Sequence, residues 1–200
     1  MRQNACDRSV ALRPDRLNGE PLHRIQPRED ALNAPAPSLF NQQASADLAI
    51  PEETDEIIDH IVTRYHAVHR SELPELTRLA QRVEDVHANH PACPKGLAAL
   101  VATIQAEMES HMQKEEQVLF PMMQRGGHPM IGHPIAMMRH EHDEHAANLA
   151  AMAEITNNLT LPAEACRTWR DLYAGLGKLA ADLETHIHIE NDILFPRFGA

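Results

Sequence analysis

Two segments of this chain carry the same spacing of residues able to hold a metal ion: His111-x-x-x-Glu115-x-x-x-Leu119-Phe120-Pro121 and His186-x-x-x-Glu190-x-x-x-Leu194-Phe195-Pro196. On a helix, four residues advance the chain by roughly 6 Å and return to one face, so each segment presents an imidazole and a carboxylate to one point. A single such pair is an ordinary exposed helical contact. Two copies, both on apolar stripes, point instead to a bundle core, where an unpaired carboxylate is costly unless a cation compensates it.

Four long elements must position these residues. Apolar residues recur three and four apart from Thr54 almost to the C-terminus, with no strand-like alternation. The pattern predicts helices over about Thr54 to Ala88, Lys95 to Arg125, Pro134 to Thr156 and Pro162 to Phe195. Pro74 should kink the first, and Gly126-Gly127 should end the second. Short connections imply an all-α, antiparallel, up-down-up-down four-helix bundle over residues 51–200. Residues 1–50 hold Pro14, Pro21, Pro27, Pro35 and Pro37 among polar side chains and no sustained apolar period. They read as a proline-rich N-terminal arm with little burial to offset the entropy of ordering, with Leu39-Phe40 or Leu48 to Ile50 as apolar patches able to dock.

Composition narrows the partners. The formal charge of −11 disfavours nucleic acid and anionic membrane surfaces. Neither a signal peptide nor an apolar run of membrane-spanning length is present, so a cytoplasmic location is expected. Cys6, Cys93 and Cys166 form neither a disulfide framework nor a CxxC site. The excess is in histidine, with 14 copies against 4% aromatic residues.

The remaining ligands follow from height in the bundle, because helices one and three start where helices two and four finish. His66, His111, His142 and His186 fall within roughly 9 Å of a common level at ~1.5 Å per residue. His87 lies roughly 31 Å from His66 along a continuous helix and belongs to the opposite end. His69 and His145, each about one turn from a favoured ligand, are the rivals. Four imidazoles with Glu115 and Glu190 suit iron better than structural zinc, which recruits cysteine, or calcium and magnesium, which prefer oxygen. The economical arrangement gives each of two iron ions two histidines, with both glutamates and an oxo or hydroxo group bridging them. Manganese or a mixed pair satisfies the same donors. Glu107, one turn before His111, and Glu141, beside His142, read either as groups supporting the cofactor and its access route or as rim carboxylates. The methionines read as core filler.

The stretches IIDHIVTRYHAVHRSELPEL, HMQKEEQVLFPMM, MMRHEHDEH, ACRTWRDLYAGL and HIHIENDILFPR make the sequence similar to the repair-of-iron-centres (RIC) proteins of the YtfE, DnrN and NorA type, within the hemerythrin-like group. The resemblance covers about Pro51 to Arg197. It implies a di-iron centre on His66, His111, Glu115, His142, His186 and Glu190, the set that height selects. It also implies a role in the nitric oxide and oxidative stress response, with iron-sulfur proteins and an electron donor as partners. Fuller members carry an N-terminal domain with an adjacent cysteine pair, where this sequence has Cys6 alone. The alternative expectation is a non-catalytic binder or sensor of dioxygen or nitric oxide.

Purified protein is expected to hold about two irons per chain by elemental analysis. His111→Ala and Glu190→Ala should lose iron and His87→Ala should retain it. Equal loss in all three would defeat the height argument.

Overall fold

A computed structural model describes residues 50–199, and every described element is helical. The expected N-terminal arm, with Cys6 and the Leu39-Phe40 patch, lies outside the described residues, except for Ile50, which packs on the core. Helix α1 runs through Thr54–His60, Ile61–His66 and Ala67–Val86; α2 through Leu97–Lys114, Glu115–Leu119 and Phe120–Gln124. Helix α3 spans Gly132–Ile155, and α4 spans Arg167–His188 and Ile189–Leu194 before a tighter turn, Phe195–Phe198.

Side-chain pairings give the topology. Between α1 and α2, His66 meets Glu116, Thr77 meets Gln105 and Glu84 meets Ala98. Between α2 and α3, Glu107 meets Asn148 and Lys114 meets Glu141. Between α1 and α4, Arg64 meets Asp182 and His87 meets Trp169. One number rises as the other falls in each case, so neighbouring helices are antiparallel, as the short connections require. Among the described residues, no helix is long and apolar enough to cross a membrane.

Turn chemistry sets the helix ends. Gly126 and Gly127 have φ of 87° and 96°, and their N–H groups donate to Met123 and Met122 carbonyls, the paired closure favoured after a helix. Asn157 and Asn158 close α3 in the same way, donating to Glu154 and Ala153. Helix α4 begins later than the expected Pro162. The Ala165 N–H closes a turn onto Pro162 and Cys166 is extended, with ψ of 168°, so helical geometry starts only at Arg167. Pro74 lies within an unbroken stretch, and the departure from α geometry comes upstream.

That departure is a π-helical turn, and three occur: Ile61–His66, Glu115–Leu119 and Ile189–Leu194. The N–H groups of Ala67, Phe120 and Phe195 reach back five residues, to Val62, Glu115 and Glu190. Pro121 and Pro196 account for two of them. A helical proline presses on the carbonyl one turn back, and a wider preceding turn relieves the clash. The first has no such proline, and nothing in its sequence explains it.

The apolar core is divided in two. A larger cluster built around Leu76, Ile104, Trp169 and Leu176 fills one end, and a smaller one around Ile57, Tyr65, Phe120 and Phe195 fills the other. Between them lies a layer of buried polar residues: His66, His69, His111, Glu115, His142, His145, His186 and Glu190.

Beside this layer, Asp182 ties α1 to α4. It accepts from Arg64 at 2.8 and 3.2 Å and from Lys178 at 2.8 Å, while Lys178 also reaches Glu72. Burial pushes the Asp182 carboxyl up, but its hydrogen bonds from Arg64 and Lys178 prevail and hold it below the usual range. Asp182→Asn should cost about 1–3 kcal/mol in urea unfolding at pH 7. A carboxyl with a lowered folded pKa stabilises above its unfolded pKa and loses that contribution as pH falls through the folded value. The gap between wild type and variant should therefore narrow toward pH 3.

Candidate metal centre

The buried layer brings the six residues selected by spacing into two groups that share their carboxylates. His66, Glu115, His186 and Glu190 form one; His111, Glu115, His142 and Glu190 form the other, with all contributing atoms of each group within 4.8 Å. His66 Nε2 lies 3.2 Å from His186 Nε2, and His142 Nε2 lies 3.2 Å from His111 Nε2. Such a spacing suits two nitrogens on neighbouring vertices around one ion, each about 2.1 Å from it. Glu190 reaches His186 at 3.1 Å with one oxygen and His142 at 3.0 Å with the other, so it spans both pairs.

Partners behind the imidazoles fix which nitrogen faces inward. His66 Nδ1 lies 2.8 Å from Glu116, His111 Nδ1 2.9 Å from Glu141 and His142 Nδ1 3.1 Å from Asn191 Oδ1. Oxygen acceptors at Nδ1 place the ring hydrogen there and leave the Nε2 lone pair pointing into the cluster. Burial, with the neighbouring His186, takes His66 down to about 4, and burial takes His111 to about 4, so both rings are neutral near neutral pH.

The interior therefore collects acceptors, and among the four imidazoles only His186, whose Nε2 lies 3.1 Å from Glu190 Oε1, has no outer partner to set its tautomer. Glu115 is wholly buried; its Oε2 lies 3.3 Å from His66 Nε2 and 3.5 Å from His111 Nε2, yet neither of its oxygens makes a hydrogen bond. Only a cation or a proton can satisfy such a site. Burial and the adjacent Glu190 carboxylate push Glu115 well above the usual range. Burial also opposes charge on Glu190, but His186 and His142 hold it well below. The donor set of imidazole nitrogen and carboxylate oxygen fits transition-metal ions, and Glu115 and Glu190 are common to both groups.

The helices explain why these residues meet. Glu115 opens one π turn, Glu190 lies within another and His66 ends the third. Phe120 stacks on His66 at 5.8 Å, and Phe195 stacks on His142 at 6.0 Å. The α1–α2 hairpin is thus repeated by α3–α4 as an internal pseudo-twofold, His66 and His142 occupying equivalent places, as do Glu116 and Asn191. Symmetry is broken at His186, whose Nδ1 has no hydrogen-bond partner and whose ring stacks on Tyr65 at 5.4 Å.

Of the supporting glutamates expected, Glu141 backs His111 and is itself held by Lys114 at 2.5 Å. Glu107 is not brought to the cluster: it is exposed and accepts from Asn148, because Met108 takes the inward position on that turn. His69 and His145 join neither group. His87 caps the far end of α1 and packs on Trp169. Spacing missed Glu116, which Arg70 also grips at 2.7 Å, and Asn191. Each follows a proposed bridging glutamate, and one residue further along a helix turns the side chain toward the neighbour, a signal present in the repeated segments.

Glu116→Gln and Glu141→Gln should weaken metal binding roughly ten- to hundredfold in competition with a chelator, whereas Glu107→Gln should not.

Residues 57–198 match the Hemerythrin HHE cation binding domain family. The chain is 44% identical over 173 residues to the iron-sulfur cluster repair protein YtfE of Musicola paradisiaca, covering 86% of this chain and 75% of that protein. It is 48% identical over 142 residues to a probable iron-sulfur cluster repair protein of Haemophilus influenzae, covering 71% and 64% respectively. A Yersinia pseudotuberculosis YtfE is 44% identical over 168 residues, covering 84% and 76%.

Proposed function

This chain belongs to the hemerythrin HHE cation-binding family and to its iron-sulfur cluster repair group, and from that membership we propose that it is a non-haem di-iron protein of the nitric oxide and oxidative stress response. The observation that carries the reading is the sharing of Glu115 and Glu190 between two histidine pairs. His66 and His186 would hold one iron, and His111 and His142 the other. When bound, the irons supply redox-active positions for a diatomic such as nitric oxide. Two histidines and two shared carboxylates would supply four donors at each position and leave room there for a small molecule.

The chain's own residues prepare that site. Glu116, Glu141 and Asn191 hold the Nδ1 hydrogens and keep three imidazoles oriented with lone pairs inward. Phe120 and Phe195 shield the rings of His66 and His142 from water. Glu115 and Glu190 bring two negative charges that offset the cations in the core. Damaged iron-sulfur proteins are the partners this reading names for released iron, with an electron donor to keep the centre reduced, in the cytoplasm.

Anaerobic addition of stoichiometric nitric oxide to the reduced, iron-loaded protein tests the chemistry. Consumption of nitric oxide with evolution of nitrous oxide is expected. A stable adduct with no gas would replace reduction with the alternative of a binder or sensor, and a purified protein holding only zinc would overturn both.

A further inference from the structure

One helical turn beyond His66 and His142, toward the larger apolar cluster, lie His69 and His145. Both are buried, at 0% and 3% exposure, and no ring nitrogen of either has a hydrogen-bond partner. The His69 ring lies 5.7 Å from that of His186, and the His145 ring 5.1 Å from that of His111. The internal pseudo-twofold relates the two, so the same arrangement arises on both hairpins. Neither belongs to the groups that could hold an ion.

A neutral imidazole carries one N–H and one lone pair, and leaving these bare in a core is costly where a leucine would fit without penalty. Two such residues beside the same cluster imply a partner that is not protein. On the opposite side, Phe120 and Phe195 face His66 and His142 with hydrocarbon. On the side toward the larger apolar cluster, the ring nitrogens of His69 and His145 are unpartnered polar atoms beside the cluster.

We propose that His69 and His145 hydrogen-bond the small molecule taken up at the metal pair, without ligating a metal. The inference rests on the reading of the cluster as a site for two irons with room for such a molecule. Its ligand class is a small anion or diatomic with an acceptor atom.

The test uses the full, iron-loaded chain with His69→Leu, His145→Leu and His69→Gln. His69→Met and His145→Met repeat it with an unbranched side chain that adapts to gaps in a core. Azide is titrated into the oxidised protein and followed by visible absorption. Iron content should match wild type, and azide should bind roughly tenfold more weakly in the apolar variants. His69→Gln, which keeps an N–H donor, should come back to within about threefold of wild type. The N–O stretch of nitric oxide added to the reduced protein should shift in the apolar variants, which a purely packing role would not cause. The metal-free apolar variants should melt at higher temperature than wild type, because bare polar groups have been removed from the core.

Unchanged azide affinity and N–O stretch at full iron content in the apolar variants would overturn the proposal. So would iron loss in them, which would make the two histidines ligands. Failure of the wild-type chain to hold iron sinks the underlying reading, and is seen before any variant is compared.

Discussion

Glu115 and Glu190 sit side by side in the core with no exposure to solvent, and their mutual repulsion is the constraint to which the rest of the bundle answers. Two enclosed carboxylates cannot both be ionised without compensating positive charge. Histidines surround them, but burial keeps His66 and His111 neutral, so these rings contribute lone pairs rather than charge. A layer of acceptors therefore separates two apolar clusters, and it becomes stable when cations enter.

Holding such a layer needs support from outside it. Arg70 grips Glu116, and Lys114 grips Glu141, so each of these carboxylates stays ionised while it orients an imidazole. Burial pushes both upward, but the cations and the histidine contacts prevail. Asn191 does the same work for His142 without charge. The two proposed metal positions thus have unequal surroundings, since His186 has a stacked Tyr65 and no partner at Nδ1.

Backbone geometry carries its share. The Leu-Phe-Pro ending of each repeated segment does two things at once: the proline favours a widened turn, and the phenylalanine lies against a histidine of the neighbouring helix. Local chemistry and tertiary packing agree at these points, and the hairpin repeat makes the agreement occur twice.

Spacing alone selected four antiparallel helices and the six residues that the structure brings together, because helical period and rise are fixed by backbone geometry and antiparallel connection fixes relative height. Spacing also set Glu107 on the same stripe as His111, whereas packing turns Met108 inward and leaves Glu107 exposed, a rotation of about 100°. His69 and His145 stayed open as ligands because one turn of helix is close to the reach of a side chain. Glu116, Asn191 and the stacking of Tyr65 on His186 depend on which helices are neighbours and how they are rotated. The sequence determined the kind of site and its level in the bundle; only tertiary packing decided which atoms face the interior and which residues stand behind them, because rotation about each helix axis is set by contacts between helices rather than within one.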